Sequence, residues 1–157
     1  MPSPGLRLPL PRAAGRVGGM TTAREIMSSD VQTLTQSQSL VEAAVLMRDH
    51  GVGAIPIVSD EGHLTGIVTD RDIVVGAVAG GRDPGATAVG GLAQGIVSTV
   101  TPDEDIERIV ATMGDQQIKR LVVVDGQQVV GMISEADLAR NVAEDMIVDF
   151  VKQVYGR

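Results

Sequence analysis

The sequence predicts a mixed α/β (α+β) fold, two small sheets packed with helices, made by tandem duplication of one unit of roughly 60 residues. Three observations predict it. Sliding the chain against itself by 66 positions sets Thr21, Ile26, Val31, Thr35, Leu40, Met47 and Ile55 against Thr87, Leu92, Val97, Thr101, Ile106, Met113 and Leu121. After one residue is lost in a later loop, Gly66-Ile67-Val68-Thr69 meets Gly131-Met132-Ile133-Ser134 at an offset of 65. Within each copy the apolar period changes in the same order: strand, helix, strand, strand, helix.

Each copy opens on a short stretch dense in β-branched residues, 31–35 and 97–101, which predicts a strand. A helix follows. In the first copy Ser39-Leu40-Val41-Glu42 forms a capping box, Leu40, Ala43, Ala44 and Met47 give one apolar face, and Gly51 ends the helix. In the second copy Asp103, Glu104 and Asp105 place negative charge at the helix start, favourable to its dipole, before the face Ile106, Ile109, Val110 and Met113. Two strands come next, 54–58 with 63–68 and 121–124 with 128–133, the second pair turning at Asp125-Gly126. Gly66 and Gly131 fall inside these strands, where glycine marks close backbone approach, here between the copies. A last helix closes each copy. Thr69 and Ser134 stand at its start with Asp72 and Asp137 three residues on, the hydroxyl-x-x-acid pattern of a helix cap.

The copies take residues 20–81 and 82–140, with a linker at 80–90. After them, at 141–157, Met146, Ile147, Phe150, Val151, Val154 and Tyr155 fall on one face of an amphipathic helix and Glu144, Asp145, Asp149, Lys152 and Gln153 on the other. Either the same chain or a second copy in a homodimer covers that face. Residues 1–19 join proline, glycine and arginine without period and predict a disordered tail; Met20 is then a candidate start, which intact mass of the native protein would decide.

The composition narrows the function. No stretch nears the roughly 18 apolar residues of a membrane span and no signal segment opens the chain, so a cytoplasmic protein is expected. The absence of cysteine excludes disulfides, thiolate chemistry and cysteine metal sites. His50 and His63 each lie in a glycine-flanked turn and read as solvated loop residues, with no metal site expected. Net charge is −7; three arginines and no acid lie in the first 19 residues, which leaves 10 basic against 20 acidic residues in the rest. That surface repels nucleic acid and anionic lipid, and with only Phe150 and Tyr155 aromatic there is no base-stacking platform. No Gly-rich loop with a following Lys-Ser/Thr, no Ser/His/Asp set and no acid pair in an apolar setting is present, so the protein is not expected to be an enzyme.

The repeat, with Gly66-Ile67-Val68-Thr69-Asp70-Arg71-Asp72-Ile73 and Gly131-Met132-Ile133-Ser134-Glu135-Ala136-Asp137-Leu138 in register, resembles the tandem CBS-domain pair, or Bateman module. The short architecture, with Thr69-Asp70-Arg71-Asp72-Ile73 and a terminal helix containing Phe150-Val151-Lys152, is most similar to stand-alone actinobacterial CBS pairs of the hypoxic-response type. The resemblance implies two units about a pseudo-twofold axis with two clefts that in many members bind adenosine compounds. By that match Asp72 and Asp137 would accept from ribose hydroxyls, and Thr69 and Ser134 would face a phosphate. Ile55, Pro56, Val122 and Val123 would wall the adenine, and Arg71, Lys119 and Arg120 are the cations nearest in sequence to the phosphate positions. The chemistry is sound: a carboxylate pairs with a vicinal diol, and helix-start N–H groups attract phosphate. Helix capping alone also explains Thr69, Asp72, Ser134 and Asp137.

Two functions follow as expectations. One is a homodimeric, non-enzymatic sensor that needs no cofactor, binds an adenosine nucleotide such as AMP or ATP, and signals in trans to an unidentified effector. The other is a ligand-free homodimeric stress-response interaction protein.

Overall fold

The computed structural model describes residues 20–93, 95 and 98–156. The tail expected at 1–19 lies outside the described residues, as does Val97 of the second copy's opening strand. A short helix α1 (Ala23–Ile26) comes first. The first copy then runs β1 (Leu34–Thr35), α2 (Leu40–His50), β2 (Ala54–Val58) and β3 (Leu64–Thr69), and ends in a helical segment with π winding over Asp72–Val78. The second runs β4 (Thr99–Val100), α3 (Ile106–Asp115), β5 (Arg120–Asp125), β6 (Gln128–Ser134) and α4 (Glu135–Asn141), and α5 (Glu144–Tyr155) closes the chain. No helix among the described residues is long and apolar enough to cross a membrane.

Local chemistry accounts for these elements. The Ser39 N–H donates to the Glu42 carboxylate at 2.7 Å and the Glu42 N–H returns to Ser39 Oγ at 3.2 Å, so both orphan donors at the start of α2 are satisfied. Those bonds hold the Glu42 carboxyl below its ordinary range. Gly51, left-handed at φ 63°, ends the helix. Asp105 caps α3 through Oδ1, which accepts the Glu107 N–H at 2.8 Å.

Each copy carries a three-stranded sheet in which β1 and β2, or β4 and β5, run parallel and the following hairpin is antiparallel. Both sheets carry a register shift at the same repeat position, Ile57/Val58 and Val123/Val124. The opening strands are shorter than the sequence predicts. In the second copy Thr99 pairs with Val122, whereas in the first the pairing starts one step later, at Leu34 with Ile57. The residue that would receive Thr33 is Pro56, which has no N–H to offer a neighbouring strand.

The copies exchange their leading segments. The Ile106 N–H donates to the Thr21 carbonyl and the Leu40 N–H to the Thr87 carbonyl, both at 2.9 Å; the Ala23 N–H donates to Glu104 O and the Val89 N–H to Gln38 O, both at 2.8 Å. With an offset of 66, each bond is the image of its mate. The bridges Thr22 to Asp105 and Ser39 to Ala88 repeat the relation, and His63 bridges Gln128, its own image at offset 65. A pseudo-twofold axis therefore passes between the two hairpins. As a result Ala23 and Ile26 are buried in the core of the second copy with Ile109, Met113, Leu121 and Ile133, and Val89 is buried in that of the first with Leu40, Ile55, Ile57 and Val68. Gly131 permits the crossing, because a Cβ there would collide with the Met27 side chain.

The terminal helix breaks the symmetry. Phe150 is 1% exposed and packs with Ile147 and Val154 against the second core, so this chain covers most of that apolar face itself. Among the described residues the first copy has no such cover: Val41, Val45, Val74, Val75 and Val78 are exposed. The equivalent positions of the second copy hold Glu107, Ala111, Ala139, Arg140 and Ala143. Truncating Phe150 to Ala is expected to cost about 3–5 kcal/mol in urea unfolding, independent of protein concentration. A loss below about 1 kcal/mol, or one that varies with concentration, would place Phe150 in a contact between copies instead.

Candidate functional site

A cavity of about 280 Å³ lies between the copies. Its first-copy wall is the stretch from the end of α2 into β2, His50 to Ile55, together with Asp30, Val31 and Gln32 ahead of β1. The second copy supplies Lys119 and Arg120 at the start of β5, Met132 on β6, and Ser134 to Asp137 at the junction of β6 and α4. Gly53 is needed where these walls meet: a Cβ there would stand 2.9 Å from the Arg120 guanidinium and 3.0 Å from the Asp70 carboxylate. Both charged groups approach the first-copy backbone closely at the edge of the cavity.

Asp137 is, among the described residues, the single buried charged residue, at 6% exposure. Its Oδ2 accepts the Ser134 N–H and the Ser134 hydroxyl, both at 2.8 Å, and its Oδ1 takes the Arg140 guanidinium at 2.6 Å. The Asp137 N–H returns to Ser134 Oγ at 3.3 Å. Such a charge is tolerated because it is paired and hydrogen-bonded. A carboxylate has about four lone-pair directions, so three bonds leave room for one more donor on the cavity side. The Glu135 N–H donates to the Lys119 carbonyl at 3.0 Å, which ties the start of α4 to the start of β5. Of the first-turn amides, that of Ala136 is the one neither bond uses.

The structure brings together Ile55, Lys119, Arg120, Ser134 and Asp137 at this cavity. Pro56, Val122 and Val123 are buried and do not line it. Thr69, Arg71 and Asp72 occupy the equivalent place in the first copy. There the Thr69 N–H donates to Asp72 Oδ2 at 2.9 Å and the Asp72 N–H to Thr69 Oγ1 at 3.1 Å, the same reciprocal cap. Val75 stands where the second copy has Arg140. The repeat images of Asp30 and Val31 on that side are residues 96 and 97, outside the described residues.

Sequence reasoning missed Asp30, Gln32, His50, Glu135 and the approach of α5. His50 ends α2 and lines the cavity rather than sitting in an open turn. The repeat offset carried no signal for them, because it does not say how one copy is set against the other. Glu135 is bonded from outside the repeat: the Tyr155 hydroxyl donates to its Oε2 at 2.7 Å, and the Lys119 ammonium lies 4.5 Å from the Tyr155 ring centroid.

The match of the CBS-domain profile to residues 23–77 and again to 92–144 decides the family. This chain belongs to the CBS-domain family. It is 39% identical over 135 residues to Hypoxic response protein 1 of Mycobacterium tuberculosis, covering 86% of this chain and 94% of that protein. It is 38% identical over 122 residues to the CBS domain-containing protein YhcV of Bacillus subtilis, covering 78% and 86%.

Among solved structures, Hypoxic Response Protein I with two coordinated zinc ions superposes with a TM-score of 0.71 at 37% identity, over 78% of this chain and all of that one. The CBS pair of protein MJ0100 in complex with 5′-methylthioadenosine and S-adenosyl-L-methionine superposes with a TM-score of 0.71 at 28% identity, over 78% and 95%. Among the described residues of this chain no three His, Cys, Asp or Glu side chains converge to hold a metal ion.

Proposed function

We propose that this CBS pair is a non-enzymatic sensor of an adenosine-containing ligand such as AMP or ATP, and that it signals in trans to a partner protein. The observation that carries the reading is the open cavity walled by both copies, with two cations, Lys119 and Arg120, and the buried Asp137 on one side of it. A ligand touching both walls favours one relative setting of the copies, which is what a sensor requires. Adenine would lie against Ile55 and the backbone of 52–54, a ribose hydroxyl would donate to Asp137, and phosphate would face Lys119, Arg120 and Ser134. By the repeat, Thr69 and Asp72 would take the roles of Ser134 and Asp137 in a second cleft, with Arg71, the image of Ala136, as its nearby cation. The adenosine compounds bound by the MJ0100 pair support the ligand class.

One observation favours the rival, a stress-response interaction protein with unused clefts: Ser134 and Arg140 already take most of the acceptor capacity of the Asp137 carboxylate. Thermal unfolding against AMP, ATP and S-adenosyl-L-methionine separates the two. A ligand at 100 times its dissociation constant stabilises the fold by about 2.7 kcal/mol. Asp137→Asn and Asp72→Asn are expected to weaken that ligand by about 1–3 kcal/mol, each measured against its own unliganded baseline because each also loses a cap. No shift with any compound at millimolar concentration would leave the rival standing.

The exposed valines of the first copy further support self-association, with a second copy of the chain as the occupant of that face. The second copy's equivalent positions hold only alanines and two charged residues, and the hexameric CBS-CP12 protein is a structural neighbour (TM-score 0.68, 28% identity). Val75→Glu is expected to raise the dimer dissociation constant at least about tenfold in sedimentation equilibrium, as a charge buried in an apolar contact would. An unchanged constant would remove this face from the interface.

A further inference from the structure

The geometry points to Tyr155 as a positioning residue of the cleft that couples its occupancy to the last turn of α5, an inference that rests on the nucleotide-binding reading above. Lys119 and Glu135 both line the cavity and are opposite in charge. They are also neighbours, since the Glu135 N–H is bonded to the Lys119 carbonyl. Left alone, the carboxylate would pair with the ammonium and cancel the charge a phosphate needs. Tyr155 engages both groups instead: its hydroxyl holds Glu135 at 2.7 Å, and its ring face takes the ammonium at 4.5 Å.

Tyr155 is 48% exposed, so its place is set by these two contacts more than by burial. One turn and a half earlier, Phe150 anchors α5 in the second core, and beyond Val154 the helix end is held by contacts that the cleft can change. A phosphate arriving in the cleft competes with the ring for Lys119, and the final turn of α5, held also by the Gln117 side-chain amide on the Gln153 carbonyl at 3.2 Å and by Val154 against the second core, then loses one of its ties. Tyr155 is the sole tyrosine and the chain has no tryptophan, so intrinsic emission reports on this residue alone.

The full chain is titrated with AMP and with adenosine by calorimetry for wild type, Tyr155→Phe and Tyr155→Leu, and tyrosine emission is followed in parallel for wild type. Tyr155→Phe keeps the ring and releases Glu135; Tyr155→Leu loses both contacts. AMP affinity is expected to fall about tenfold or more in both variants with adenosine affinity unchanged, and wild-type emission to change with AMP but not with adenosine. Variants that bind AMP as wild type does would overturn the role of Tyr155 and leave the nucleotide site intact. Equal losses for AMP and adenosine would reduce Tyr155 to a structural residue and also overturn it. A wild-type chain that binds neither AMP nor any other adenosine compound overturns the nucleotide reading, and the coupling falls with it.

Discussion

The amides of Ile106 and Leu40 each reach across the boundary between copies, to the carbonyls of Thr21 and Thr87. That reciprocal pair of 2.9 Å bonds expresses the constraint on which the rest of the molecule depends. Each copy lacks a piece of its own core and receives it from the segment that leads into the other. Ala23 and Ile26 complete the second core, and Val89 the first. Neither unit closes its apolar face alone, so the two copies fold as one body with a single pseudo-twofold axis through the bridge from His63 to Gln128.

The cleft is a consequence of that exchange. Because the leading segment must cross from α1 on the second core to β1 on the first, residues 30–32 run over the gap and form a wall of the cavity. The cap of α4 then faces the end of α2, and Gly53 lets Arg120 and Asp70 come close to the backbone there. Asp137 holds the cap of α4 and also lines the cavity, so in the proposed function one carboxylate would serve both structure and ligand. The copies are not equivalent: Arg140 braces Asp137 where the first copy has Val75, and α5 covers only the second core.

Much of this was legible in the residues themselves. The capping box at Ser39 and Glu42, the caps of Thr69 with Asp72 and Ser134 with Asp137, and the Asp125-Gly126 turn involve partners a few residues apart, which spacing alone reveals. Ile55, Lys119, Arg120, Ser134 and Asp137, which the family resemblance singled out, all line the cavity between the copies. What spacing cannot show is contact made across the fold. Pro56 shortens β1 only because it stands opposite Thr33, and Tyr155 reaches Glu135 only because Phe150 docks α5 on the second core. The π winding over Asp72–Val78, where α4 is regular, has no local cause that we can identify.

Amide hydrogen exchange of the full chain with and without saturating AMP tests most directly whether the cleft is one site built by both copies. Slowed exchange is predicted together at 30–32 and 50–55 from the first copy and at 119–120 and 132–137 from the second. Protection confined to one copy, or exchange unchanged at all four segments, would contradict it.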